Sequence, residues 1–218
     1  MRGSPEVVLV HGLWHQPAHF DRLRSALESS GRAVRVPRLH RGSLDGDVAA
    51  VQAAVDACAA PPVLVAHSYG GAVAGQVSGA SAMLFVTGFA LEVGESCAEV
   101  AGPAPCRPAI VVAPDGTTSL DPALAPEYFF ADADPGEVER AVRLLVPQAR
   151  GHWRAPAQVC TWREVPTRYV VCEQDRAVDV GVQRRMAARC SSSVSVAASH
   201  SPFLTRPELI AAEVGALG

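Results

Sequence analysis

The chain has 218 residues, 49% of them hydrophobic and 19% charged, with a formal net charge of −3. That length carries one full core, and the balance excludes a disordered chain and shows no basic footprint for nucleic acid. All 19 basic residues are arginine, which excludes Schiff-base catalysis, a P-loop lysine and a lysine-assisted lyase.

The first element is the apolar run "EVVLV" at 6–10. It begins too near the start for a signal peptide, and no run approaches the roughly 20 apolar residues of a membrane helix. A cytoplasmic location is expected, with neither membrane nor nucleic acid as partner. A helix is predicted over 17–30, opening at Pro17, placing Phe20, Leu23, Ala26 and Leu27 on one face and stopping at Gly31. Then come a strand at 33–37, a helix at 46–58, a strand at 63–66, a helix at 69–79 and a strand at 82–87.

From Gly88 to Thr167 the rhythm breaks. This interval holds a hairpin at 109–120, turned at Asp115-Gly116, and an amphipathic helix at 134–148. Asp134 is placed to cap that helix, Pro135 suits its first turn and Glu137 completes a capping box. Val138, Ala141, Val142 and Leu145 form its apolar stripe. The rhythm then resumes with strands at 168–172 and 193–197 and helices at 180–190 and 207–217.

Near-continuous apolar strands alternating with helices predict an α/β fold, a parallel sheet of about six strands with helices on both faces. Residues 1–87 and 166–218 form the core, and 88–165 a small inserted lid.

The stretch "PVLVAHSYGGAVAG" (62–75) carries the chemistry. A nucleophile elbow needs a strand, a strained turn and a helix, with small residues two before, two after and three after the nucleophile. Around Ser68 these are Ala66, Gly70 and Gly71; a serine helix cap is the plainer alternative. Such a serine needs a base. Among histidines 11, 15, 19, 40, 67, 152 and 200, His67 would point the wrong way across the turn. His200 follows the last strand at the edge that carries the elbow. The base needs a carboxylate; Asp175, in the loop after its strand, is favoured over Glu173, which lies too close to the strand, and over Asp179, which suits a helix cap. Ser68, Asp175, His200 is the chain order of the fold. The oxyanion donors are the backbone N–H groups of Tyr69 and of Leu13, the latter on the turn permitted by His11-Gly12.

Cysteines 58, 97, 106, 160, 172 and 190 show no CxxC pair and no metal-ligand spacing. Cys172 reads as a small buried hydrophobe, and a Cys97–Cys106 bridge is conceivable across one loop. His19 and Phe20 read as surface and core, His152 as exposed on the lid, and Trp153 and Trp162 as either packing anchors or substrate contacts.

Taken in order, "HGLWHQPAHF", "AHSYGG", "GFALEVGES", "FFADADPGEVERAVRLLVPQ", "TWREVPTRYVVCEQD" and "SHSPFLTRPELIA" resemble the α/β-hydrolase superfamily over nearly the whole chain. The likeness is to its small-lid branch of bacterial carboxylesterases, pyrethroid-type esterases, plant methyl-ester esterases and hydroxynitrile lyases. The resemblance implies the same triad and oxyanion amides, no cofactor and no metal. It also implies a pocket bordered by Gly12, Trp14 and His15. Two departures stand out: the first antiparallel strands of larger members are missing, and the lid is shorter than in plant relatives.

The implied activity is hydrolysis of a small, mostly apolar carboxylic ester or thioester, with that small molecule as partner; a homodimer stays open. Hydroxynitrile lyases carry threonine at the Gly12 position and lysine at the Ser201 position, so cyanohydrin chemistry is not expected. Elimination, cyclisation or acyl transfer with the same triad stays open, and a ligand-binding receptor is the reading from another class.

Overall fold

Six short runs of Val, Leu, Ala and Phe lie side by side because each can be covered on both faces. The computed structural model describes residues 5–39 and 42–217; His40 falls outside them. Strands β1 (Val7–Val10), β2 (Val34–Arg35), β3 (Val63–His67), β4 (Ala82–Val86), β7 (Thr167–Cys172) and β8 (Ser192–Val196) form one sheet in the order β2-β1-β3-β4-β7-β8. Every pairing is parallel, with Val7 opposite both Val34 and Val63, and Val63 opposite Ala82. Each residue of β1, β3 and β4 is buried, whereas the edge strands β2 and β8 are short or polar and largely exposed. The expected six-stranded parallel core is present.

From β1 the chain moves outward to β2, then crosses back to β3 on the other side. Right-handed crossovers therefore put α1 (Asp21–Ser29) and α2 (Leu44–Asp56) on opposite faces. α1 packs with α9 (Pro207–Gly215), and α2 with α3 (Gly70–Ala74). A crevice must open where the order reverses, at the carboxyl ends of β1 and β3.

Several helix bounds differ from the sequence reading, each for a local reason. The expected helix 17–30 is split into a 3-10 turn, Pro17–Phe20, and α1, because the Gln16 amide donates to His19 Nδ1 and closes the first turn tightly. α3 stops at Ala74 rather than 79; the Gly75 carbonyl accepts the amide and hydroxyl of Thr161 instead of continuing the helix. α6 (Pro135–Leu144) ends four residues early, where Leu145 turns extended and the Val146 amide reaches the Trp14 carbonyl at 2.9 Å. Asp134 occupies its cap position without a side-chain bond, and Glu137 pairs with Arg140 at 3.2 Å rather than closing a capping box. Asp179 does cap α7 (Val180–Ala187), accepting the Val182 amide at 3.1 Å.

The interval after β4 contains α4 (Cys97–Ala101), the hairpin β5 (Ile110–Val112) and β6 (Thr118–Leu120), α5 (Ala125–Phe129) and α6. The hairpin turns at Asp115-Gly116, where Gly116 has φ +84. Trp162 is an anchor, buried with its Nε1–H donating to the Leu91 carbonyl at 2.8 Å. Cys97 and Cys106 are separate buried thiols. No helix among the described residues is long and apolar enough to cross a membrane.

The elbow glycines mark where strand and helix nearly touch. A Cβ on Gly70 would sit 2.4 Å from the Val10 carbonyl oxygen, and one on Gly71 would sit 2.5 Å from the Phe89 amide nitrogen. Gly70→Ala is therefore expected to destabilise the protein by at least about 3 kcal/mol, because only backbone stands in the way. Gly136→Ala, with nothing within 4 Å of the added methyl, is the control and should be neutral or slightly stabilising in a helix. Thermal unfolding of the two variants checks the difference.

Candidate active site

Among the described residues three non-glycine positions have positive φ: Trp14 (60), Ser68 (53) and Thr87 (47). All three lie just past the carboxyl ends of β1, β3 and β4, the edge at which the crevice opens. Strained backbone concentrated at one edge of a sheet points to a functional site. Ser68 is held in its turn by three bonds. Its amide donates to the Val86 carbonyl at 3.2 Å, and its own carbonyl accepts the Gly71 and Phe89 amides at 2.9 and 3.1 Å. Gly12 faces it so closely that a Cβ there would lie 2.9 Å from Ser68 Cβ.

His200, on the loop after β8, is buried, and its Nδ1 lies 2.8 Å from Asp175 Oδ2. Asp175 follows β7, and four donors converge on it. Oδ1 accepts the Ala177 and Val178 amides at 2.7 and 2.9 Å; Oδ2 accepts Gln183 Nε2 and His200 Nδ1, both at 2.8 Å. With Nδ1–H donated to the carboxylate, His200 Nε2 is the nitrogen left to take a proton. Glu173 instead pairs with Arg184 at the surface.

His67 lies behind the base. Its Nε2–H donates to the His200 carbonyl at 3.0 Å, and the two rings are 4.6 Å apart. It holds the backbone of the loop that carries His200. Asp132, between α5 and α6, reaches the same loop: it accepts the Ser199 amide at 3.2 Å, the Ser199 hydroxyl, and the Thr205 hydroxyl at 3.1 Å.

The two candidate oxyanion amides follow β1 and β3, and neither Leu13 N–H nor Tyr69 N–H donates to a backbone carbonyl among the described residues. The Leu39 amide donates to His11 Nε2 at 3.2 Å, which makes His11 Nδ1 the protonated nitrogen; it donates to the Gly12 carbonyl at 3.0 Å. That carbonyl and the Leu13 N–H belong to one peptide plane, so His11 sets the direction of the Leu13 donor. His15 Nδ1 donates to the next carbonyl, Leu13, at 2.8 Å.

Ser68, His200, Leu13 and Trp14 line one cavity of about 840 Å³, roofed by the hairpin, by Phe129 at the end of α5 and by residues 148–154. Trp14 is pinned against the lid by its Nε1–H, 3.1 Å from Thr118 Oγ1. Trp153 also lines the cavity, with its ring edge-on to Phe89. Gly12 lies beneath Ser68, and His15 one layer deeper, its ring among His19, His67, Phe130 and Phe203; neither forms part of the cavity lining.

Two other histidines differ from expectation. His152 is 2% exposed rather than on the lid surface, because its Nε2 faces Asp47 Oδ2 at 3.4 Å, the carboxylate that also accepts the Tyr69 hydroxyl at 3.0 Å. His19 is fully buried, its Nε2 at 3.1 Å from the Ala141 carbonyl of α6. Among the described residues no group of three or more His, Cys, Asp or Glu could hold a metal ion.

Burial holds His19 down to about 4 from an ordinary 6.5, and drives His15 and His67 well below their usual range. A folded value below the unfolded one means that the unfolded chain takes up the proton first. This contribution to stability is therefore complete above pH 6.5 and is lost as pH falls toward 4. For His19 alone the loss is on the order of 3 kcal/mol. Thermal unfolding between pH 7 and 4.5 should show this fall, and His19→Gln should flatten it; a wild-type curve already flat over that interval would contradict the burial.

A switch-point crevice, a strained serine after β3 and an Asp–His pair on the loops after β7 and β8 define the nucleophile-elbow class of α/β proteins. The chain belongs to the alpha/beta hydrolase family, whose profile it matches over residues 7–213. The alpha/beta hydrolase nvfD of Aspergillus novofumigatus is 27% identical over 95% of this chain and 94% of its own. A pyrethroid hydrolase from Sphingobium faniae JZ-2 shares the fold at a TM-score of 0.83 and 19% identity, over 97% of this chain and 96% of that one. The methylesterase MES16 from Arabidopsis does so at 0.81 and 16%, over 98% of each chain.

Proposed function

We propose that this protein is a cytoplasmic serine hydrolase of small, mostly apolar carboxylic esters, working without metal or cofactor. The observation that carries this reading is the Asp175–His200 pair at 2.8 Å, opening with a positive-φ Ser68 onto one largely apolar cavity. The hydrolase family and the esterase names among its structural relatives agree with it.

In this mechanism Ser68 Oγ attacks the ester carbonyl carbon while His200 Nε2 takes its proton. The carbonyl π pair moves onto oxygen, where the Leu13 and Tyr69 amides receive it. Collapse of the tetrahedral species breaks the C–O bond, and His200 returns the proton to the departing alcohol. Water, deprotonated by His200, then attacks the acyl-Ser68 carbonyl, and the carboxylic acid leaves with Ser68 restored. Asp175 keeps the imidazole proton on Nδ1 throughout.

Labelling with a fluorophosphonate tests this reading. The expected result is one added mass, on the peptide containing Ser68, together with hydrolysis of short p-nitrophenyl esters. Intact protein that takes no label and cleaves no ester would overturn it.

A further inference from the structure

One wall of the cavity carries polar groups that the ester chemistry does not use. Gln148 is 2% exposed, and its backbone is fixed on both sides by Thr118, at 2.8 and 2.9 Å. Neither its Oε1 nor its Nε2 has a hydrogen-bond partner among the described residues. Both atoms are closed off from solvent, so the arginines are the polar groups that a ligand in the cavity meets.

The same cavity is lined by Arg107, Arg150 and Arg154, and by no Asp or Glu. Among the described residues none of the three is in an ion pair. Arg107 reaches only the Ile110 carbonyl, at 3.3 Å. Arg150 runs over Gly116. The acid beside that turn, Asp115, directs its Oδ1 to the Thr117 amide at 2.9 Å. Trp14, Ile110, Phe129 and Trp153 line the cavity as well. It thus offers both apolar and cationic groups, with Ser68 and His200 on its lining.

We infer that the substrate is an amphiphilic ester bearing a carboxylate remote from the scissile bond. Its apolar body lies against Trp14 and Phe129, and its carboxylate is received by guanidinium groups of Arg107, Arg150 and Arg154. This rests on the hydrolase reading and adds to it the charge of the substrate. Arginines on a cavity lined by no acid raise the local concentration of anions, an effect that salt weakens.

The test compares two matched pairs: mono-p-nitrophenyl adipate with p-nitrophenyl hexanoate, and 4-acetoxybenzoate with phenyl acetate. In at least one pair kcat/KM for the anionic ester should exceed that for the neutral one about 10-fold at low salt. The ratio should shrink at high salt and fall toward one when Arg107, Arg150 and Arg154 are all replaced by glutamine. A ratio of one or less in both pairs, or a ratio the triple variant leaves unmoved, overturns the inference even where Ser68 labels and neutral esters are cleaved. If no ester is turned over, calorimetric binding of the same pairs to Ser68→Ala decides: tighter binding of an anionic ester supports the inference while the hydrolase reading falls, and equal binding overturns both.

Discussion

Ser68→Ala is expected to lower kcat on a short p-nitrophenyl ester by about 10⁴- to 10⁶-fold, with KM little changed. Only Oγ is removed. The Cβ that packs against Gly12 stays, and alanine bears the same positive φ as serine, so the turn keeps its geometry and its strain. The three backbone bonds that hold position 68 use amide and carbonyl groups that the substitution leaves in place. Thermal unfolding should therefore superimpose on that of wild type, and the loss belongs to chemistry rather than folding. What survives reports the oxyanion amides and the cavity alone, as residual catalysis over water does where a triad member is missing. Steady-state kinetics of purified variant and wild type on one ester decide the matter. A variant retaining a tenth of wild-type kcat would mean that the nucleophile is elsewhere.

The parts of the fold legible in the sequence are those set by local pattern. β1, β3 and β4 are buried at every position and apolar but for His67, because both faces of the sheet are covered, so four or five consecutive apolar residues announce them. The elbow is legible because close approach of two backbones admits only small residues at 66, 70 and 71, a constraint written directly in composition. Asp175 and His200 were placed by chain order and by loops that a parallel sheet brings to one edge, and they meet at 2.8 Å.

What stayed hidden depends on partners distant in the chain. His19 is buried because Ala141, 122 residues away, offers it a carbonyl; helical spacing around position 19 carries no trace of that contact. His152 is buried because it faces a carboxylate on α2. Asp132 and Gln183, which hold the His200 loop and the Asp175 carboxylate, are ordinary polar residues in segments where a solvated side chain is the usual outcome. The failed cap at Asp134 has the same character: cap geometry is a backbone matter, settled by how α6 docks rather than by residue type.

Asp175→Asn is the second large effect, an expected fall in kcat of about 10⁴-fold. Asp175 accepts on all sides: two amides at Oδ1, and Gln183 Nε2 with His200 Nδ1 at Oδ2. A carboxamide has one acceptor atom and one donor atom, so each orientation fails somewhere. With its oxygen toward His200, its NH2 faces the Ala177 and Val178 amides, and the loop carrying the residue loses both anchors. With its NH2 toward His200, it opposes the Gln183 donor and forces the imidazole to present a lone pair at Nδ1. The proton then sits on Nε2, the one atom that must accept from Ser68. Thermal unfolding separates these cases. If reversing the tautomer causes the loss, the variant keeps both Oδ1 anchors and melts close to wild type; if loosening of the loop causes it, the variant melts well below wild type. Measuring kcat and Tm on variant and wild type distinguishes the outcomes, and full activity in Asp175→Asn would mean that Asp175 does not orient the base.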